Sequence, residues 1–157
     1  MKESLKKGFS FGLTSAMITT LGLIVGLVYS TNSKLIVITG ILTIAIADAF
    51  SDALGIHISE ESQKNTKDKT IWEATLSTYF AKLFFALLFI IPFLLFSIRI
   101  AMYASIGYGL ITLAILSYYI AKEKKESKFK VIAEHLGIGI LVIIISNLVG
   151  TYLNKFI

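Results

Sequence analysis

The feature that most constrains this chain is a set of long stretches without charged side chains. No Asp, Glu, Lys, Arg or His occurs in residues 8–30, 100–121 or 136–154. About 20 apolar residues in a helix match the roughly 30 Å hydrocarbon core of a bilayer. These stretches therefore predict a multi-span membrane protein and exclude a water-soluble enzyme built around its own core.

Five predominantly apolar segments of spanning length can be drawn, at residues 8–30, 35–58, 75–96, 102–121 and 132–153. They are predicted to be helices, because backbone groups must bond internally in lipid and the alternating pattern of a barrel is absent. The predicted fold is all-α, an integral membrane five-helix bundle that forms a single domain over residues 1–157. The first segment is predicted to be a retained span, since it is too long for a signal-peptide core.

The charges predict how the chain lies in the membrane. Only 16% of the residues are charged, against about 25% in soluble domains, and the net charge is +5. Twelve basic residues fall on one side of the predicted spans if Lys82 snorkels to the connection before it, and three fall on the other. This positive-inside bias predicts a cytoplasmic amino terminus and an outside carboxyl terminus. The basic residues therefore indicate orientation and not nucleic-acid binding.

The second span carries two acids, Asp48 and Asp52, four residues apart and so on one helix face. An Asp at the centre of a membrane helix costs roughly 2.5–3.5 kcal/mol, so such acids are usually functional. Their repulsion favours a shared proton or a bound cation, and their oxygen atoms suit Mg, Mn or Fe(II). Three alternatives stay open: both acids are protonated, both hold helices together by hydrogen bonds, or Asp52 lies in water at the cytoplasmic interface.

Small and hydroxyl residues form a stripe on the first span. They follow one another at steps of four and three residues and so line one seam of a helix: Gly8, Gly12, Ser15, Thr19, Gly22 and Gly26. The stripe predicts close helix packing, either within a subunit or across a dimer. Ser15 and Thr19 could also offer oxygen atoms to a passing ion.

Other polar residues give weaker indications. His57, Glu60 and Glu61 lie at the cytoplasmic end of the second span, where they could collect metal cations or simply form a solvated helix end. The chain has no cysteine, which excludes thiolate metal sites and cysteine nucleophiles. It also has no nucleotide-binding loop and no serine–histidine–acid pattern. The sequence therefore predicts no enzymatic activity.

Two of these segments carry a family resemblance. Residues 11–26, Phe-Gly-Leu-Thr-Ser-Ala-Met-Ile-Thr-Thr-Leu-Gly-Leu-Ile-Val-Gly, resemble the first-span signature of the vacuolar iron transporter family. Residues 47–59, Ala-Asp-Ala-Phe-Ser-Asp-Ala-Leu-Gly-Ile-His-Ile-Ser, are similar to its second-span signature. Asp48 and Ser51 match that signature, while Ser15 and Asp52 stand where the family has an Asp and a Met.

The resemblance implies a homodimer that moves Fe(II), and often Mn(II), out of the cytosol in exchange for protons. The path would run along the first two spans, with Asp48 and Asp52 as ligands and Ser15 and Thr19 as auxiliary oxygen donors. The metal would be cargo, and no resident cofactor is expected. The alternative is a non-transporting membrane scaffold or accessory subunit. The Ile- and Lys-rich composition favours a prokaryotic cell membrane.

Overall fold

The computed structural model describes residues 2–156, and this part of the chain folds into helices without any strand. The helices are α1 (Glu3–Thr31), α2 (Lys34–Glu61), α3 (Asp68–Leu87), α4 (Ile90–Leu95), α5 (Ile98–Lys124) and α6 (Lys128–Leu153). Five helical stretches are long and apolar enough to cross a membrane, with α3 and α4 together forming the third. The prediction of an all-α fold with five apolar helices is confirmed.

The helices extend beyond the predicted spans. The second and third predicted spans leave residues 59–74 between them, yet α2 continues to Glu61 and α3 begins at Asp68. The turn between them is short and contains Asn65 in the left-handed region, with φ 68°. The bounds differ because the predicted spans stop at the first charged residues, whereas a helix continues wherever water or ion pairs accommodate those charges.

The third predicted span is interrupted. Helix α3 ends at Leu87 and α4 begins at Ile90, two residues before Pro92. A proline lacks the N–H that would bond four residues back, and its ring crowds the carbonyl there. That carbonyl belongs to Leu88, which lies in the break.

Residue contacts group the chain into two compact units, so the single domain stays a prediction. The first unit comprises Met1–Ala16 and Leu42–Leu88, and the second comprises Met17–Ile41 and Phe89–Ile157. Each unit is described by itself below.

Close helix contacts form the first unit. A side-chain carbon added at Gly8 would lie 2.2 Å from the Ala74 carbonyl oxygen, and one at Gly12 would lie 2.4 Å from that of Thr78. The Thr78 hydroxyl donates to the Gly8 carbonyl at 3.2 Å. The first two glycines of the stripe therefore let α1 pack directly on α3.

The second unit uses the other two glycines of the stripe. Val142 and Ser146 of α6 lie next to Gly22, and a side-chain carbon at Gly150 would lie 2.5 Å from the Gly26 carbonyl oxygen. Helix α5 presents a buried face on which every fourth residue is small or polar, apart from Leu113: Ala101, Ser105, Gly109, Ser117 and Ala121. All four glycines thus take part in packing within the chain.

Large apolar side chains cover much of the outer surface of both units. Helix α6 has only three buried residues, and its exposed side chains include Ile138, Ile144 and Leu148. Soluble monomers rarely expose contiguous apolar patches of such extent. The pattern is the one expected of helices that face a non-aqueous surrounding.

Candidate cation site

The two acids of α2 lie at the edge of its buried face. Ala45, Ala49 and Ala53 line that face and are buried. The side chains of Asp48 and Asp52 retain 29% and 18% of their exposure. Both carboxylates are therefore largely buried within the first unit, and a part of each remains exposed.

A lysine from α3 joins these two acids. Lys82 is fully buried, and its Nζ donates to Asp48 Oδ2, to Asp52 Oδ2 at 2.5 Å and to Ser15 Oγ at 2.7 Å. Three helices thus meet in a single cluster. Helix α1 supplies a hydroxyl, α2 supplies two carboxylates and α3 supplies the ammonium. We call these four residues the Lys82 cluster.

Lys82 does not snorkel towards the preceding connection, which was the condition for counting it among the basic residues there. Its ammonium finds three oxygen partners inside the unit, which a path along the apolar helix surface would not supply. The packing of α1 on α3 makes this possible, because Ser15 lies one helical turn beyond Gly12 and so follows the closest approach. Small residues at that contact bring the Ser15 hydroxyl within reach of the ammonium.

The charges of the Lys82 cluster do not balance. Two carboxylates face one ammonium, and Ser15 is neutral, so the cluster carries a formal charge of −1 when all three groups are ionised. A charge among apolar helices is costly unless it is paired. The cluster therefore favours one more positive charge, which a proton or a cation at the open side of the carboxylates would provide.

The other predicted residues lie outside this cluster. Thr19, predicted as an auxiliary donor, is half-buried on α1 four residues after Ser15, in the second unit. His57 Nδ1 lies 3.0 Å from the Thr75 hydroxyl, and its ring lies against Trp72.

The two glutamates that were predicted to collect cations also lie outside the cluster. Glu60 is buried and forms an ion pair with Lys7, while Glu61 is exposed. Within residues 2–156 no three His, Cys, Asp or Glu side chains come together to hold a metal ion. A metal at Asp48 and Asp52 would thus complete its shell with hydroxyl, water or backbone oxygen atoms.

Lys82 is the member of the cluster that the sequence patterns did not connect with the two acids. A lysine inside an apolar span needs a partner, and Asp48 and Asp52 are the acids furthest from the ends of the predicted spans, since Glu134 is the third residue of the fifth. That rule alone would have linked the three residues. Comparison with models of known protein families and with curated proteins finds no match for this chain.

Proposed function

We propose that this chain is a multi-pass membrane transporter that exchanges divalent metal cations, such as Fe(II) or Mn(II), for protons. The membrane location is supported by five helices of spanning length and by the large apolar side chains on their surfaces. The choice of divalent metals follows the resemblance to the vacuolar iron transporter family. The direction that the resemblance implies is out of the cytosol.

A single observation carries the proposal: two partly open carboxylates share one buried ammonium, a set whose formal charge is −1 when all three groups are ionised. Ionisable groups among apolar membrane helices usually mark an ion or proton path. Carboxylates bind metal only when deprotonated, so a proton and a metal compete for the same oxygen atoms. This competition is the physical basis for exchange.

The resemblance also implies a homodimer. The glycine seam of the first span is occupied within the chain, by α3 at Gly12 and by α6 at Gly22. A homodimer would therefore have to form through another surface.

The transport proposal is tested with purified protein in vesicles that carry an imposed pH gradient. We expect Mn(II) uptake by the unmodified protein, and uptake at the level of protein-free vesicles for Asp48→Asn and for Asp52→Asn. Asp68→Asn is the matched control, because Asp68 is an exposed acid of the same type at the start of α3. Its uptake should be unchanged. Undiminished uptake in both cluster variants would refute the proposed role.

The orientation gives a second prediction, and the absence of cysteine makes it simple to measure. Gln63 and Ser97 are exposed and lie in connections on opposite sides of the third predicted span. In cells, a membrane-impermeant thiol reagent should label Ser97→Cys and leave Gln63→Cys unlabelled until the membrane is opened. The reverse pattern would invert the predicted orientation, and equal labelling of both in intact cells would contradict a span between them.

The alternative is a non-transporting scaffold, and one observation favours it. Lys82 already contacts both carboxylates and Ser15, so the cluster can serve as a link between three helices. A scaffold would show no ion flux while folded and inserted, and Asp48→Asn would change its stability alone.

A further inference from the structure

We infer that Lys82 sets the charge class of the cation that Asp48 and Asp52 accept, a role that rests on the proposed function of this pair. The Lys82 ammonium lies where a bound cation would, since one oxygen atom of each carboxylate accepts a hydrogen bond from it. An incoming cation that binds either carboxylate therefore lies close to this ammonium, whichever oxygen atom it contacts. Lys82 is thus a built-in competitor whose strength depends on the charge of the arriving ion.

The competition comes from a charge that is fixed in place. The Lys82 side chain is 1% exposed, and its ammonium has three oxygen partners on α1 and α2. Thr78 and Ala81, which precede it on α3 by four residues and one residue, are also buried. The ammonium therefore has no open solvent to move into and stays close to any ion that binds the carboxylates.

Coulomb repulsion from this ammonium is proportional to the charge of the ion. At the same distance a divalent ion is repelled twice as strongly as a monovalent ion. With Lys82 in place, a monovalent ion brings the cluster to neutrality, whereas a divalent ion leaves it at +1. This fixed ammonium therefore opposes a divalent metal at the carboxylates more strongly than a monovalent ion, so Lys82 weakens divalent binding and eases release.

The inference predicts how affinity changes when the charge of Lys82 is removed. Lys82→Met keeps most of the side-chain length and leaves two uncompensated carboxylates. We expect Mn(II) to bind at least about 100-fold more tightly and Na⁺ only about tenfold more tightly. The divalent ion gains twice as much binding free energy when the repulsion is removed, and each tenfold change in affinity corresponds to the same increment of free energy. Lys82→Arg keeps the charge and should leave the Mn(II) affinity within about threefold of the unmodified protein.

The measurement uses the full chain in detergent. The electron paramagnetic resonance signal of free Mn(II) gives its affinity, and the line width of ²³Na magnetic resonance gives that of Na⁺. The comparison is repeated in the Asp52→Asn background, where removing Lys82 leaves a single carboxylate and burdens folding less. Adding Lys82→Met to Asp52→Asn should again favour Mn(II) more than Na⁺.

The outcomes separate this role from transport. Equal gains for Mn(II) and Na⁺, or no gain in either background, would overturn the role of Lys82 even if both Asp variants lose uptake. A gain that is larger for Mn(II), in a protein that moves no ion, would support charge selection by Lys82 and overturn only the transport proposal. An equal gain in Lys82→Arg would show that side-chain shape is responsible and would also overturn the role.

Discussion

Replacing Lys82 with Met is expected to lower the free energy of unfolding by about 3–5 kcal/mol in metal-free buffer. Removing one partner of a buried ion pair leaves the other charge without compensation, and this usually costs more than the pair contributes. Here two carboxylates would remain at the edge of the α2 packing face, where they would repel each other. The midpoint of thermal unfolding in detergent, followed by helical circular dichroism, measures the loss.

The triple variant Lys82→Met, Asp48→Asn, Asp52→Asn is expected to regain most of this stability. It removes all three charges and keeps side chains of similar size, and such neutral replacements of buried ion pairs are often neutral or stabilising. Lys34→Met serves as a control, since Lys34 is exposed and its change should stay within about 0.5 kcal/mol. A triple variant as unstable as Lys82→Met would attribute the loss to packing and not to charge.

Much of the fold follows from the sequence because one physical rule dominates it. Apolar stretches of membrane-spanning length must be helical in lipid, and five helices of that kind are present. This rule does not predict where each helix ends or where it is interrupted. Charged residues such as Glu61 were placed outside the second span, yet they continue the helix, since exposed charges do not oppose helix formation. The interruption before α4 arises because Pro92 has no N–H to bond to the Leu88 carbonyl, and the sequence does not show whether the helix bends or breaks there.

The candidate site was half predictable for a related reason. The spacing of Asp48 and Asp52 is local, and the helix period alone places them on one face. Their partner is not local, because Lys82 comes from α3, about 30 residues further along the chain. Its position relative to Ser15 depends on how closely α1 approaches α3. The glycine stripe indicated a close approach of α1 to another helix, but it did not indicate which helix. The need for charge compensation was the remaining signal.

Because α1 and α3 approach so closely, we expect Gly12→Ala to lower the stability of the protein. The added side-chain carbon would lie 2.4 Å from the Thr78 carbonyl oxygen and 3.1 Å from the Ala81 side chain. A backbone oxygen within α3 cannot yield, so α1 has to move away from α3. Overpacking of this kind typically costs about 1–3 kcal/mol. Because Ser15 follows Gly12 by one turn, the same movement should take its hydroxyl away from the Lys82 ammonium.

Gly55→Ala is the matched control, because a side-chain carbon at Gly55 would meet nothing within 4 Å. The same substitution there should be neutral or stabilising by up to about 1 kcal/mol, since alanine favours a helix over glycine. We therefore expect the unfolding midpoints in detergent to move in opposite directions, with Mn(II) uptake reduced only in Gly12→Ala. If both variants unfold at the same temperature, α1 and α3 are not in backbone contact at Gly12, and the link from the glycine stripe to the Lys82 cluster is lost.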